Sequence, residues 1–316
     1  MIFEQVKLPR ILQGRTAFVI LAIVCRIVVS PAMTHGQQKL YWTHGSPNEI
    51  QRANLDGTGV EVLVSGLFDG PFGITLDLAA ERMYWAEENG HRIVRANLDG
   101  TGIDPIITGL PGFPADVALD LDAGKVYWVE FAGSTISSVK RANLDGTEIE
   151  DLVPLIGSGN RNGITLDLSA GKIYWTLCAG NIRRANLDGS DVEDILSGLG
   201  CLVDIELDAR NGKMYWSDST LGSEKIQRAN LDGTEIEDLV TTGLALPFEI
   251  ALDLGVGQLF WSNSGVQKIQ RANLDGTDIV DLVTGVGGLW GLALDLRLFA
   301  DGFESGNTSA WSFTVP

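Results

Sequence analysis

The chain has 316 residues, and its 41 acidic against 23 basic residues give a formal net charge of −18. Such a surplus of acids repels the phosphates of nucleic acids, which excludes them as partners. No phosphate-binding loop, paired-cysteine zinc motif or histidine cluster appears, so the common nucleotide and zinc chemistries are not indicated.

The first 36 residues have the features of an export signal. Basic residues precede an apolar run that begins at Ala17, and the run has only 13 residues even when counted to Val29, whereas a membrane span needs roughly 20. We expect cleavage near Ala32 or Gly36, which leaves no transmembrane segment and a secreted, periplasmic or envelope-facing product. The alternatives are an uncleaved anchor or a wrongly chosen start codon.

The rest of the chain, predicted as one domain over 37–297, is a sixfold repeat of about 43 residues, a period typical of propeller blades. The hexapeptide Arg-Ala-Asn-Leu-Asp-Gly starts at Arg52, Arg95, Arg141, Arg184, Arg228 and Arg271. An aromatic pair precedes each copy, at Tyr41-Trp42, Tyr84-Trp85, Tyr127-Trp128, Tyr174-Trp175, Tyr215-Trp216 and Phe260-Trp261.

Each repeat predicts four short strands. In the second repeat, Gly73 to Asp77 alternates in polarity, Arg82 to Trp85 is aromatic, Arg92 to Ala96 is mostly apolar, and Ile103 to Ile107 ends the unit. Aspartate-glycine pairs such as Asp56-Gly57 supply the positive φ of a hairpin between the third and fourth strands. The fold predicted is therefore all-β, a six-bladed β-propeller of four-stranded antiparallel blades.

The ends of the repeat predict how the ring closes. The chain enters the first unit at its second strand, Lys39 to Trp42, and finishes with an unpartnered first strand over 290–296. We expect this C-terminal strand to become the innermost strand of the blade made by residues 39–64, which removes both free sheet edges.

These motifs resemble the class B (YWTD) repeats of the low-density-lipoprotein-receptor family. The resemblance covers about four fifths of the chain and implies a six-bladed propeller, but it does not extend to lipoprotein uptake, because the chain has no room or cysteines for the cysteine-rich modules of the animal receptors. Ser217-Asp218 keeps the threonine-aspartate half of the signature well. Elsewhere the pair is replaced, for example by Thr43-His44, and the hydrogen bond of the family's aspartate is in doubt in those blades.

Repetition separates scaffold from function. The repeated arginines and aromatic pairs occur in every blade, so we interpret them as structural. The arginines face acids across the outer strands, and these pairs are expected to contribute about 0.2 to 1 kcal/mol each.

Function is expected where the repetition breaks, in the loops that join the second to the third strand and each blade to the next. Aromatic and acidic residues in these loops predict a docking face for a protein or peptide. The alternative is that they are plugs covering the tops of the blades. The residues are Phe72, Phe113, Phe131, Phe248, Trp290, Asp69, Glu87, Glu88 and Glu130.

A second candidate lies at the mouth of the central channel. Three blades begin their inner strand with Asp116, Asp204 and Glu249, and the other three begin it with glycine. Convergent carboxylates are ligands that calcium prefers, and six-bladed lactonases hold calcium near such a channel. A calcium-dependent lactonase or esterase is therefore the alternative to a non-catalytic interaction module, and calcium is the one cofactor considered.

Cysteines and the tail complete the predictions. Cys178 and Cys201 follow and precede strands of neighbouring blades, so an inter-blade disulfide is expected in an oxidising compartment, with two small buried hydrophobic residues as the alternative. The tail over 298–316 is rich in small polar residues and is expected to be disordered. We expect a monomer.

Overall fold

The structure is a computed structural model, and it describes residues 38–67, 70–131, 137–154 and 163–297. The predicted export signal and the predicted tail lie outside these residues. The strands are β1 (Lys39–His44), β2 (Glu49–Asn54), β3 (Glu61–Val64), β4 (Pro71–Asp77), β5 (Arg82–Glu87), β6 (Arg92–Asn97), β7 (Asp104–Ile107), β8 (Phe113–Asp120), β9 (Lys125–Phe131), β10 (Ser137–Asn143), β11 (Glu150–Val153), β12 (Ile164–Asp167), β13 (Lys172–Leu177), β14 (Asn181–Asn186), β15 (Glu193–Leu196), β16 (Leu202–Asp208), β17 (Lys213–Asp218), β18 (Lys225–Asn230), β19 (Glu237–Val240), β20 (Pro247–Asp253), β21 (Gln258–Asn263), β22 (Lys268–Asn273), β23 (Val280–Thr284) and β24 (Leu289–Asp295). Two short 3-10 helices cover Ala209–Asn211 and Ser264–Val266.

These strands form six antiparallel sheets of four strands each. Five sheets use consecutive strands, namely β4 to β7, β8 to β11, β12 to β15, β16 to β19 and β20 to β23. The innermost strands contact one another in the cyclic order β24, β4, β8, β12, β16, β20 and back to β24. The predicted six-bladed propeller is confirmed.

The sixth sheet has the strand order β24-β1-β2-β3, so the two ends of the propeller share one blade. β24 pairs antiparallel with β1, with Asp295 opposite Lys39 and Leu292 opposite Trp42. The predicted closure by the C-terminal strand is confirmed, and it begins one residue earlier than expected, at Leu289.

The aromatic pairs fill the wedges between blades. Successive side chains of a strand point to opposite faces of the sheet, so the tyrosine and the tryptophan of a pair reach different neighbours. Tyr41 therefore packs in the same buried cluster as Trp85 of the next blade, and Phe260 packs with Trp42. All six tryptophans of the pairs are fully buried.

The repeated arginines join blades at the outer rim of the ring. Arg141 donates from Nη1 to the carbonyl of Leu187 in the next blade at 3.0 Å, and its Nη2 pairs with Glu150 at 2.6 Å. Arg52 makes the equivalent contacts with Leu98 and Glu61. The predicted structural role of the arginines is borne out by these contacts.

The aspartate-glycine hairpins also hold adjacent blades close together. Gly57 has φ +82, and a Cβ on it would lie 2.0 Å from the carbonyl oxygen of Leu282 in the neighbouring blade. The hairpin is locked from within, because Asp56 Oδ1 accepts from both the N–H and the hydroxyl of Thr58. Both the turn and the interface therefore require glycine at this position.

The hydroxyl after each tryptophan connects inner strands where it is present. Thr43 donates to the carbonyl of Phe72 in the next blade at 2.6 Å and accepts from the N–H of Gly291 in its own blade at 2.7 Å. Thr176 likewise donates to the carbonyl of Val203 in the next blade and accepts from the N–H of Gly163 in its own blade. Blades with Ala86 or Val129 at this position have no hydroxyl to do so.

The position of the family's aspartate is served by other side chains. Glu130 accepts from the N–H of Gly112 at 2.9 Å, and Asn263 accepts from the N–H of Ala245 at 2.8 Å. Both N–H groups lie in the connection that leads into an inner strand. In these two blades a side chain of another type at the aspartate's position therefore holds the connection to an inner strand, whereas Asp218 accepts from the N–H and the hydroxyl of Thr220.

Candidate functional site

The propeller has two faces with different chemistry. The loop-rich face carries the connections between second and third strands and between one blade and the next. The opposite face, here called the turn face, carries the tight turns between first and second strands and the hairpins between third and fourth strands. The inner strands line a central channel that runs between the two faces.

The aromatic residues predicted to form a docking face pack together at the loop-rich end of this channel. Phe72, Phe131 and Phe248 are 2%, 6% and 7% exposed, while Phe113 and Trp290 are half-buried. The ring centroids of Phe72 and Trp290 are 5.3 Å apart. We call this cluster the aromatic plug, and its burial favours the alternative that the aromatics cover the blades from inside.

The predicted acidic rim is largely buried as well. Glu87 is fully buried, where it accepts from Trp85 Nε1 at 2.9 Å and pairs with Arg92 at 2.5 Å. Glu130 is 4% exposed and pairs with Lys140 at 3.2 Å. Expecting these two carboxylates to lie at the surface was wrong, because each balances a cation beneath the loops. Glu88 is half-buried, and Asp69 lies outside the described residues.

Other side chains form the exposed apolar part of the loop-rich face. Leu221 is 87% exposed between β17 and β18, Leu246 is 41% exposed before β20, and Val266 is 38% exposed between β21 and β22. Their loops are tied together, since Ser264 N donates to Leu246 O at 3.1 Å and the Ser219 hydroxyl donates to Pro247 O. We call Leu221, Leu246 and Val266 the apolar patch. These three residues were not predicted as a site, although three lone aliphatic residues in loops of irregular length were the signal for it.

A disulfide joins Cys178 to Cys201 next to these loops. Cys201 O accepts from Ser219 N at 2.9 Å, and Cys201 N donates to the Thr220 hydroxyl at 2.6 Å. The disulfide therefore ties the end of β13 to the segment that supports the loop carrying Leu221.

The channel carboxylates lie directly below the aromatic plug. Ala115 and Val203 pack in the same buried cluster as the plug residue Phe248, and these three residues directly precede Asp116, Asp204 and Glu249 along the chain. All three acids are at least nine-tenths buried, and each accepts a backbone N–H from the following blade. The donors are Ile164 to Asp116 at 2.9 Å, Ile250 to Asp204 at 2.8 Å, and Leu292 to Glu249 at 2.5 Å.

A fourth acid, Glu206, joins them and was not predicted. It lies two residues after Asp204 on β16, on the same side of the strand, and lines the same cavity of about 250 Å³. Burial, and then the charge of Asp204, raise its pKa to about 8. The alternation of the inner strand was the signal for it.

Burial dominates the electrostatics of the other three. It raises the pKa of Asp204 to about 6. It also holds the pKa values of Asp116 and Glu249 well above the ordinary carboxyl range, and repulsion from the neighbouring carboxylates adds to the effect.

The predicted calcium site gains no support from this arrangement. Within the described residues, no three histidine, cysteine, aspartate or glutamate side chains come together in a way that could hold a metal ion. Asp116, Asp204 and Glu249 as calcium ligands, and the lactonase chemistry that would need them, stay predictions.

Comparison with known families identifies the repeat. The family model for the low-density lipoprotein receptor repeat class B matches residues 38–78 and 212–254. The chain contains class B repeats. The matched spans include β1 to β4 and β17 to β20, so strands of the closing blade and of the blade two positions away in the ring match the family pattern.

Solved structures share the fold at low sequence identity. A chain in the crystal structure of a nidogen/laminin complex is 21% identical, with 83% of this chain and 99% of that chain covered and a TM-score of 0.72. TolB from Acinetobacter baumannii is 13% identical over 83% of this chain and 67% of that chain, with a TM-score of 0.68. A putative TolB from Agrobacterium tumefaciens is 11% identical over 80% of this chain and 90% of that chain, with a TM-score of 0.59. No curated protein matches.

Among the described residues, no helix is long and apolar enough to cross a membrane.

Proposed function

We propose that this protein is an exported, non-catalytic interaction module that binds a protein segment through its loop-rich face. The single observation that carries the proposal is the apolar patch of Leu221, Leu246 and Val266 on the loop-rich face, because the other exposed large hydrophobic side chains of the described residues lie on the turn face or on the outer strands. The class B family and the nidogen/laminin neighbour support a binding role over a catalytic one.

The patch is preorganised for binding. Its three loops are held by backbone hydrogen bonds and by the adjoining disulfide, so little conformational entropy remains to be lost when a partner docks. Rigid, exposed apolar residues on a fixed scaffold are typical of interaction sites.

The partner that fits is a segment with apolar anchors flanked by basic residues. The net charge of −18 attracts cations and repels acidic or nucleic-acid partners. Export into an oxidising compartment follows from the same proposal, because the disulfide beside the patch is stable there.

A peptide array tests the proposal on the full chain. Peptides with a leucine pair flanked by lysines should bind, and the same peptides flanked by glutamates should not. Leu221→Ser combined with Leu246→Ser should weaken binding at least about tenfold, since two apolar anchors are lost. Val256→Ser is the matched control, because Val256 is 68% exposed on the turn face.

Equal binding by both peptide sets, or equal losses in the Val256→Ser control, would overturn the proposal. Sedimentation of the chain alone provides the other arm of the experiment. Concentration-dependent dimers abolished by Leu221→Ser would show that the patch binds a second copy, which also contradicts the proposed partner.

A further inference from the structure

The central channel contains four acids and no compensating cation among its walls. Asp116, Asp204, Glu206 and Glu249 line the cavity of about 250 Å³ below the aromatic plug. No lysine, arginine or histidine is among the residues that line it, all of which the structure describes. Buried carboxyl groups without a cation tend to take up protons, in line with the raised pKa values of these acids, so a bound cation would allow them to ionise.

One carboxylate oxygen in the cavity lacks a partner. Glu249 is 5% exposed, and its Oε2 accepts from Leu292 N, while its buried Oε1 has no hydrogen-bond partner. Asp116 differs, since Oδ1 accepts from Val117 N at 2.7 Å and Oδ2 from Ile164 N at 2.9 Å. An unsatisfied buried acceptor costs free energy, and here it faces a cavity large enough to hold a donor.

The walls of the cavity favour an organic cation over a metal ion. Calcium takes six to eight oxygen ligands, whereas no three of these acids group around one point as metal ligands would, within the part of the chain described. Leucine side chains share the lining, at Leu119, Leu166 and Leu168. A primary ammonium has three N–H donors for separated acceptors, and its alkyl stem can pack against leucine.

Size and access agree with this chemistry. Water occupies about 30 Å³ per molecule in the liquid, so the cavity is large enough for an ammonium group with several carbon atoms. The plug covers one end of the channel. Leu168, which is 46% exposed in the turn after β12, lies at the other end, so a ligand would enter from the turn face.

We propose that the channel binds a primary alkylammonium group, with Glu249 and Glu206 as its main acceptors and with its alkyl stem directed along Leu166 and Leu168 to the turn face. The group belongs either to a free alkylamine or to the lysine side chain of a partner. This site is separate from the apolar patch, and it does not depend on the function proposed for that patch.

Calorimetric titration of the full chain with n-butylammonium, in phosphate buffer free of other amines, tests the site. Saturable binding is expected, with 1-butanol as the uncharged ligand that should not bind. Glu249→Gln and Glu206→Gln should each weaken binding at least about tenfold, because a charge-assisted hydrogen bond is lost. The Glu249→Gln variant keeps a side-chain oxygen that can accept from Leu292, and Glu206→Gln alters a half-buried side chain, so thermal melts should show both variants folded.

Glu61→Gln is the matched control, since it removes the same charge from the outer strand β3, where Glu61 pairs with Arg52. Equal binding of butylammonium and butanol, or equal weakening by Glu61→Gln, would overturn the proposal. Calcium binding that excludes butylammonium would overturn it as well.

Capped peptides with one lysine, compared with the same peptides carrying norleucine, identify the source of the ammonium group. Lysine-dependent binding lost in Glu206→Gln assigns the site to a partner's side chain. Butylammonium binding without peptide binding assigns it to a free amine. Failure of both ligands contradicts the proposal, and it leaves the peptide-array result for the apolar patch unaffected.

Discussion

The outer rim of the ring has equivalent contacts in successive blades, whereas the residues that line the wall of its channel differ between blades. At the rim, equivalent arginines and hairpins join successive blades by the same contacts, such as Arg52 to Leu98 and Arg141 to Leu187. At the wall, three blades contribute an acid where three contribute glycine. The repeated rim forms the scaffold, and the irregular wall carries carboxyl groups that no basic side chain in the lining of the cavity pairs with.

Part of the irregularity at the wall is itself structural. A Cβ on Gly73 would lie 2.2 Å from Asp116 Oδ1, and one on Gly163 would lie 2.4 Å from Asp204 Oδ1. Glycine in one blade therefore makes room for the acid of the next. The acids are in turn fixed by backbone N–H groups, so a side chain at the wall can be both a support and a binding group.

The largest expected effect comes from removing a wall strand. A chain that ends after Gly288 lacks β24, which leaves β1 unpaired on one side and opens the ring. We expect no cooperative unfolding transition in urea, followed by circular dichroism. A chain that ends after Arg297 keeps every described strand and should unfold cooperatively. A sharp transition in the shorter chain would mean that the blades are stable without closure.

At the rim, Gly57→Ala should lower the free energy of unfolding by about 3 kcal/mol, through positive φ and overpacking together. Gly66→Ala is the control for φ alone, because Gly66 has φ +72 with open space around it, and about 1 kcal/mol is expected. Urea denaturation measures both. If rim positions are equivalent, Gly100→Ala should match Gly57→Ala, since its Cβ would lie 2.3 Å from the Leu63 carbonyl oxygen.

The wall should make stability depend on pH. The pKa of Glu206 is raised from 4.5 to about 8 in the folded protein. Its protonated form therefore stabilises the folded state fully at pH values below the unfolded-state pKa, and this stabilisation is lost as the pH rises through the folded-state pKa. Wild type should therefore be less stable at pH 8 than at pH 5, and Glu206→Gln should reduce the difference by about 1 to 3 kcal/mol.

Other acids of the channel titrate in the same window, because the pKa of Asp204 is raised to about 6 and those of Asp116 and Glu249 lie well above the ordinary carboxyl range. Glu206→Gln therefore removes only part of the pH dependence, whereas the acids of the rim add none. Hydrogen bonds from Thr58 lower the pKa of Asp56 at the rim, so hairpin aspartates stay ionised from pH 5 to 8. Urea denaturation at pH 5 and pH 8, in buffers without amines, measures the change. An unaltered difference in Glu206→Gln would show that this carboxyl does not titrate in the window.

The smallest effect is expected in a rim turn. Glu235 has φ +55, where the first two repeats have glycine at Gly59 and Gly102. Glu235→Gly should change the free energy of unfolding by less than about 1 kcal/mol, because relief of the left-handed conformation is offset by greater freedom of the unfolded chain. A larger loss, measured in urea, would assign the Glu235 side chain a role through its contact with Lys213.

The periodicity of the sequence was sufficient to predict the scaffold of the propeller. Tyr41-Trp42 and its counterparts alternate along a strand, so their packing between blades follows from local geometry, and the incomplete first repeat predicted that β24 would join β1. The site was harder to predict. Phe72 and Phe248 were predicted in or beside loops, whereas they lie near the start of the inner strands β4 and β20, and the local sequence does not say whether such a side chain turns inward to cover the channel or outward to solvent.

The same limit applies to charge. Glu87 and Glu130 were predicted at the surface because acids usually are, and each is buried against a basic partner that belongs to another strand, Arg92 or Lys140. Glu206 was missed because its role depends on Asp204 and on the wall of the opposite blades, which only the closed ring brings together. Leu221, in contrast, is exposed in the connection between β17 and β18, which at 219–224 is longer than the equivalent connections of the other blades.

The joining of β24 to β1 determines the order of events during folding. Their contacts span most of the chain, as in the hydrogen bond from the Gln38 side chain to Leu296 O. An emerging polypeptide can assemble the middle blades one by one, yet the first blade waits for β24, which is made after every other strand of the ring. Slow, late ring closure is therefore expected, and until it occurs β1 is a bare edge that a chaperone would have to protect.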